Sequence, residues 1–122
     1  MSAQNDSGAI PTVSVEEAAR RQSDDGLALL VDVREMDEYL ELRADGSTLM
    51  ALSEFGWRFE ELPRDRTLLL LCHSGGRSSR ATAFLRQQGF SDVANVEGGM
   101  IAWKRAGLPM RSGPLDPGEG EL

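Results

Sequence analysis

One cysteine, Cys72, and one histidine, His73, are all that this 122-residue chain holds of the two residue types that most often bind zinc or act as nucleophile and base. A lone cysteine excludes an internal disulfide, and one Cys with one His cannot complete a tetrahedral zinc site. Beyond His73, adjacent to Cys72 in the chain, there is no imidazole to act as base, which argues against a papain-like dyad. Acidic residues outnumber basic ones, 20 to 13. The net charge of −7 argues against a protein that neutralises nucleic-acid phosphates. The longest apolar run, Leu68 to Cys72, is far too short to span a bilayer. The opening MSAQNDSGAIP lacks the basic and apolar regions of a secretory signal. The expectations are therefore no nucleic acid, no membrane, no metal and no cofactor. A reducing, cytoplasmic setting suits the free thiol. No internal repeat is present.

What is present suffices for one domain with one core. Residues 1–11 are small and polar and read as a flexible lead-in. Thr12–Val13 reads as a short strand, and Ser14 with Glu17 as a capping box opening a helix through about Gln22. Asp24-Asp25-Gly26 is a turn signal. The apolar run Leu27 to Val33, interrupted by Asp32, reads as a strand buried on both faces. A short helix over 35–42 follows, then a strand over 47–50, and a helix from Ser53 to Leu62 with Phe55, Phe59 and Leu62 at helical spacing. Thr67 to Cys72 is apolar without alternation and reads as the central strand. Arg77 to Gln88 has helical spacing, closed by Gly89 at the left-handed position after the helix. Val93 to Val96 is another strand. Gly98-Gly99 is a turn, and 100–106 a helix stopped by Gly107 and Pro109. Trp57 and Trp103 read as packing residues. Residues 111–122, ending GPLDPGEGEL, carry Pro, Gly and acid but no core residue, and read as a disordered acidic tail. Strands alternating with helices predict an α/β fold with a mostly parallel sheet, whose ligands bind at the carboxyl ends of the strands. Cys72 lies at one such end and Asp32 at another.

The run Cys72-His73-Ser74-Gly75-Gly76-Arg77-Ser78 carries the chemistry. Gly75 and Gly76 permit positive φ and a tight turn, so that successive N–H groups point inward as an anion-binding nest. The following helix adds its free N–H groups and the positive end of its dipole. Arg77 adds a permanent cation. All of these favour a thiolate over a thiol. A cysteine at a strand end is often simply buried; the Gly-Gly-Arg-Ser sequel is what points to reactivity.

This loop resembles the active-site loop of rhodanese-like sulfurtransferases. Val31-Asp32-Val33-Arg34-Glu35, followed by Glu38-Tyr39, resembles a second segment of that family, and Val96-Glu97-Gly98-Gly99-Met100-Ile101-Ala102-Trp103 a third. The likeness covers roughly residues 12–110. It implies a central five-stranded, mainly parallel sheet flanked by helices on both faces. It also implies a Cys72 that takes sulfane sulfur from a donor such as thiosulfate and passes it to a thiol, to cyanide or to a protein acceptor. One stretch departs from the family. Where its members often read Gly-His-Ile-Pro-Gly-Ala, this chain has Leu42-Arg43-Ala44-Asp45-Gly46-Ser47, with only Gly46 in common. Arg43 reads as a solvated residue, or as added positive potential at the pocket rim. Asp32 is a candidate to orient the Cys loop through its N–H groups or through Arg77, or to cap the next helix. Arg34 reads as one half of a structural ion pair.

Three functions compete. One is a sulfurtransferase working through a Cys72 persulfide. A second is a partner-dependent sulfur carrier or binding module with little free activity. The third is a phosphatase or arsenate reductase on the related fold. Those enzymes place five residues between Cys and Arg, whereas four, His73 to Gly76, lie between Cys72 and Arg77 here. The smaller ring favours one sulfur atom over a tetrahedral oxyanion.

Overall fold

The computed structural model describes residues 9–24 and 28–122. The lead-in over residues 1–8, Asp25-Gly26 of the expected turn and Leu27 of the expected strand lie outside the described residues. Strand β1 (Thr12–Val13) leads into α1 (Val15–Asp24), whose first turn is capped by Ser14 Oγ accepting the Glu17 N–H at 3.0 Å. Then come β2 (Ala28–Asp32), α2 (Met36–Glu41), β3 (Arg43–Ala44), β4 (Thr48–Leu49) and α3 (Leu52–Arg58), which tightens into a 3₁₀ turn over Phe59–Glu61. The chain closes with β5 (Thr67–Leu71), α4 (Gly76–Gln87), β6 (Val93–Val96), α5 (Gly99–Arg105) and β7 (Met110–Arg111).

Five strands form one sheet in the order β1-β6-β5-β2-β4, every neighbouring pair parallel. Parallel strands need both faces covered, and β5 shows the consequence. Leu68, Leu70 and Cys72 point into a core beneath α3 and α4, with Phe55, Phe59, Ala81 and Leu85. Leu69 and Leu71 point into the opposite core beneath α1 and α5, with Val15, Ala18, Met100 and Trp103. All five β5 residues are buried, which is why the run has no polar alternation. Truncating one of these leucines to alanine is worth about 2–5 kcal/mol.

Several expectations are corrected. Residues 113–122 are ordered against the body. The Gly113 N–H donates to Leu40 O at 2.7 Å, and the Leu49 N–H to Gly120 O at 2.8 Å. Before them, β7 pairs antiparallel with β3, matching Arg43 with Arg111. The tail needs no core residue because its partner is a buried cation. Arg43, read as solvated or at the pocket rim, is 1% exposed. Its Nε and Nη2 donate to Glu119 at 2.7 and 3.1 Å, and its Nη1 donates to Gly113 O at 2.8 Å. Trp57, read as packing, is 72% exposed. Trp103 packs as read, its Nε1–H donating to Pro109 O at 2.9 Å. The helix expected from Ser53 starts at Leu52 with Ala51 as cap. Ser53 instead donates from Oγ to Glu35 at 2.8 Å.

Candidate active site

The parallel register aligns Asp32 with Leu71, so β2 and β5 end together and release Val33 and Cys72 at the same edge. The Val33 N–H still donates to Leu71 O at 2.9 Å. Beyond it the chain turns, and Gly75, at φ +109°, acts as the cap of α4. Both loop glycines were expected to use positive φ; only Gly75 does, and Gly76 instead begins the helix.

This turn wraps the sulfur. Cys72 Sγ accepts the Gly75 N–H at 3.1 Å, the Ser78 N–H at 3.3 Å and approaches Ser78 Oγ at 3.2 Å. Burial alone pushes the thiol up. The Ser78 hydroxyl and the N–H groups of Ser78, Gly75 and Ser74 outweigh it, and the net pKa lies below the ordinary value. With the thiol only 1% exposed, each donor acts with little competition from water.

The loop is held from behind by α5. The Met100 N–H donates to Cys72 O at 2.8 Å and the Ile101 N–H to His73 O at 3.1 Å. Two carbonyls are thereby turned outward, leaving the loop N–H groups to face the sulfur. Gly99, at φ +57°, makes this approach possible, since a Cβ there would stand 2.6 Å from His73 O. The Gly98-Gly99 pair, read as a turn, is thus a support of the site. His73 and Ser74 are exposed. An open groove beside the loop is bounded by His73, Ile101, Lys104, Glu38 and Leu42.

Arg77 does not lie on the sulfur. Its Nη1 and Nη2 donate to the two Glu38 oxygens at 2.8 and 2.9 Å. Arg77 holds the Glu38 carboxyl down at about 2. Glu38 also accepts the Glu35 N–H at 3.0 Å in a capping box of α2, so one carboxylate ties the helix start to the Cys loop. Asp32 orients neither the loop nor Arg77. It is fully buried and taken up by Arg34, which donates from its backbone N–H at 2.9 Å, from Nε at 3.1 Å and from Nη2 at 2.8 Å. Arg34 Nη2 also reaches Leu42 O at 2.7 Å. Arg43 belongs to the tail contact.

Two residues of the site were given no role from the sequence. Glu38 is the partner of Arg77, a pairing 39 residues apart in the chain. Asn95, on β6, stands with its Oδ1 at 2.5 Å from Ser78 Oγ. Its signal was a polar side chain inside the otherwise apolar run Val93–Val96, all of it buried.

A cysteine held by backbone and hydroxyl donors at the carboxyl end of a parallel sheet defines an α/β protein built for thiolate chemistry. The comparisons narrow the class. The family model of the rhodanese-like domain matches residues 14–106, and the chain belongs to that family. A sulfurtransferase of Allochromatium vinosum is 37% identical over 98 residues, spanning 80% of this chain and 92% of that protein. The thiosulfate sulfurtransferase GlpE of Actinobacillus succinogenes is 34% identical over 85 residues, spanning 70% and 77%. Among solved structures, a rhodanese-related protein from Thermoplasma volcanium superposes with a TM-score of 0.73 at 29% identity, over 83% of this chain and 97% of that one.

Proposed function

We propose that Cys72 carries sulfane sulfur as a persulfide. The protein is a sulfurtransferase of the rhodanese-like family. The observation that carries the persulfide reading is the set of donors around Sγ: two loop N–H groups and a hydroxyl within 3.3 Å of one sulfur atom. The thiolate attacks the outer sulfur of a donor such as thiosulfate. A new S–S bond forms, the donor's S–S bond breaks, and sulfite leaves with the electron pair. The persulfide then gives its outer sulfur to an attacking thiolate or cyanide, and Cys72 returns as thiolate. The loop donors stabilise negative sulfur on both sides of the transfer. The Ser78 hydroxyl and the loop N–H groups hold the Cys72 pKa below the ordinary thiol value, which favours the thiolate as nucleophile. The setting of the reaction follows from the free thiol, which needs a reducing environment to stay available. Among the described residues no helix is long and apolar enough to cross a membrane.

The smaller ring supports sulfur over phosphate. Gly75 N–H and Ser78 N–H already reach the Cys72 sulfur itself. The test is an intact-mass spectrum. Thiosulfate should add the mass of one sulfur atom, cyanide should remove it, and Cys72→Ser should neither gain mass nor turn over while melting as the parent does. Turnover by that variant would end the persulfide reading. A mass gain without turnover against small thiols or cyanide would identify a carrier that serves a protein acceptor.

A further inference from the structure

We infer that Asn95 is a positioning residue that sets, through Ser78, whether the sulfur of Cys72 is held as thiol or as thiolate. The inference rests on counting hydrogens in a dry place. Ser78 is fully buried and Asn95 is 7% exposed. The Ser78 hydroxyl has one hydrogen and two neighbours that call for it, Asn95 Oδ1 at 2.5 Å and Cys72 Sγ at 3.2 Å. An amide oxygen only accepts. With Oδ1 the nearer acceptor, the hydroxyl hydrogen is assigned to Oδ1 when the sulfur is a thiol, and Ser78 Oγ then accepts from the S–H. That arrangement suits the neutral thiol.

A thiolate or a persulfide anion has no hydrogen to give. It is held by the hydroxyl only if the hydrogen turns to the sulfur. Oγ and Oδ1 would then face each other as two acceptors in a buried site, at a cost of a few kcal/mol. Rotation of the amide removes the conflict by presenting Nδ2–H to Oγ. The Nδ2 side of Asn95 lies toward the Cys loop, 3.8 Å from where a Cβ on Gly75 would stand. The backbone N–H of Asn95 is fixed to Pro11 O at 2.8 Å, so the amide turns on an anchored residue. An amide has a donor face and an acceptor face, and this makes Asn, rather than Asp or Leu, the residue that satisfies both charge states.

The charged groups near Cys72 do not substitute for this device. Arg77 is held by Glu38 and Arg34 by Asp32. His73, adjacent in the chain, has an exposed side chain, and Lys104 and Arg105 of α5 line the outer groove. The inference concerns the same cysteine as the proposed persulfide, but its test reads protonation by alkylation and needs no sulfur transfer, so the two readings fail separately.

The experiment is the pH profile of Cys72 alkylation by iodoacetamide in the parent, Asn95→Asp, Ser78→Ala and the double variant. Ionised Asp matches Asn in shape but offers only acceptors. It should keep the hydroxyl hydrogen and raise the midpoint by about one pH unit or more, a tenfold slower alkylation at a fixed pH below it. In the Ser78→Ala background the same change should move the midpoint much less. An equal shift with and without the hydroxyl would reduce the effect to charge repulsion and overturn the inference, as would no shift at all. A second measurement needs only the parent protein. The ¹⁵N resonance of the Asn95 side-chain amide should titrate with the midpoint found by alkylation and stay still in Cys72→Ser. An amide signal that ignores the cysteine's titration would likewise overturn it.

Discussion

Arg77 and Arg43 each grip a carboxylate with both arms, and they do different work. Arg77 meets Glu38 at the mouth of the active site, with side chains 31% and 32% exposed. Arg43 meets Glu119 where it is 1% exposed, and it adds the carbonyls of Gly113, Pro114 and Tyr39. The first pair has water on one side and lies beside the sulfur's cradle, where an anionic donor can compete for the guanidinium. The second is enclosed, and its remaining acceptors are backbone atoms. A planar fork surrounded by acceptors cannot be exchanged for another ligand; it fastens the tail to the body. The same chemical pair is thus adjustable in one place and architectural in the other, and what separates them is burial and the number of backbone acceptors.

The largest expected effect tests whether ring size, rather than charge, belongs to the active-site side of this comparison. One Gly inserted between Gly75 and Gly76 gives Cys72 and Arg77 the five-residue spacing of the related phosphatases. The Gly75 and Ser78 N–H groups would leave the sulfur. Persulfide transfer should fall by about tenfold or more, since about 1.4 kcal/mol is a factor of ten and oriented donors are worth more than that. Thiosulfate turnover at the original rate in a folded insertion variant would show that ring size does not select the substrate.

Deleting residues 113–122 should act on stability and spare the sulfur. The sequence alone pointed to no effect, because the tail has no apolar anchor. In the structure the deletion strips Arg43 of Glu119 and two carbonyls. The melting temperature should drop by at least about 4 °C, the shift that about 1 kcal/mol produces in a domain near this size. The alkylation midpoint of Cys72 should not move, since no donor to its sulfur comes from the tail. An unchanged melting temperature would place Arg43 among spectators.

What could be read in advance divides along the same line. The parallel sheet followed from continuous apolar strands, and the Cys loop from residues adjacent in the chain, because a nest and a helix start are local objects. The tail and Asn95 were not readable, because their meaning comes from partners far away in sequence. Arg43 meets a residue 76 positions on, and Ser78 one 17 positions on. Arg77 was read as a cation of the Cys loop, and its guanidinium pairs instead with Glu38. A cation five residues beyond a cysteine looks like its counter-ion until a carboxylate from α2 is seen to hold it.

Arg77→Ala is the gentler probe of the mouth. It should weaken transfer from an anionic donor by roughly three- to tenfold, through KM, the scale of one partly water-screened charge-assisted hydrogen bond. It should raise the Cys72 midpoint less than Ser78→Ala does, because Ser78 and the loop N–H groups are the sulfur's direct donors. The Glu38 carboxyl, held at about 2, should return toward 4.5. A Cys72 midpoint that rises as far in Arg77→Ala as in Ser78→Ala would give the guanidinium the counter-ion role after all.

The smallest effect concerns Glu119 alone, and pH isolates it. Its carboxyl lies at about 2 in the folded protein, lowered first by the Arg43 hydrogen bonds and then by the Asp116 N–H, against 4.5 ordinarily. Between those values the unfolded chain takes up a proton that the folded protein refuses. A depressed carboxylate therefore contributes stability that is complete above about pH 4.5 and lost as the pH falls toward 2. Glu119→Gln keeps an oxygen for Arg43 but carries no charge and does not titrate. The parent should be the more stable protein at neutral pH, and its advantage should shrink through the acid window until the two coincide. Glu38 loses stability over the same range with the same sign. It does so in both proteins, so it cancels in their difference. Urea midpoints of parent and Glu119→Gln between pH 7 and pH 2.5 make the measurement. An advantage that stays constant to the acid end would mean that shape and hydrogen bonding, not the charge on Glu119, hold the tail to Arg43.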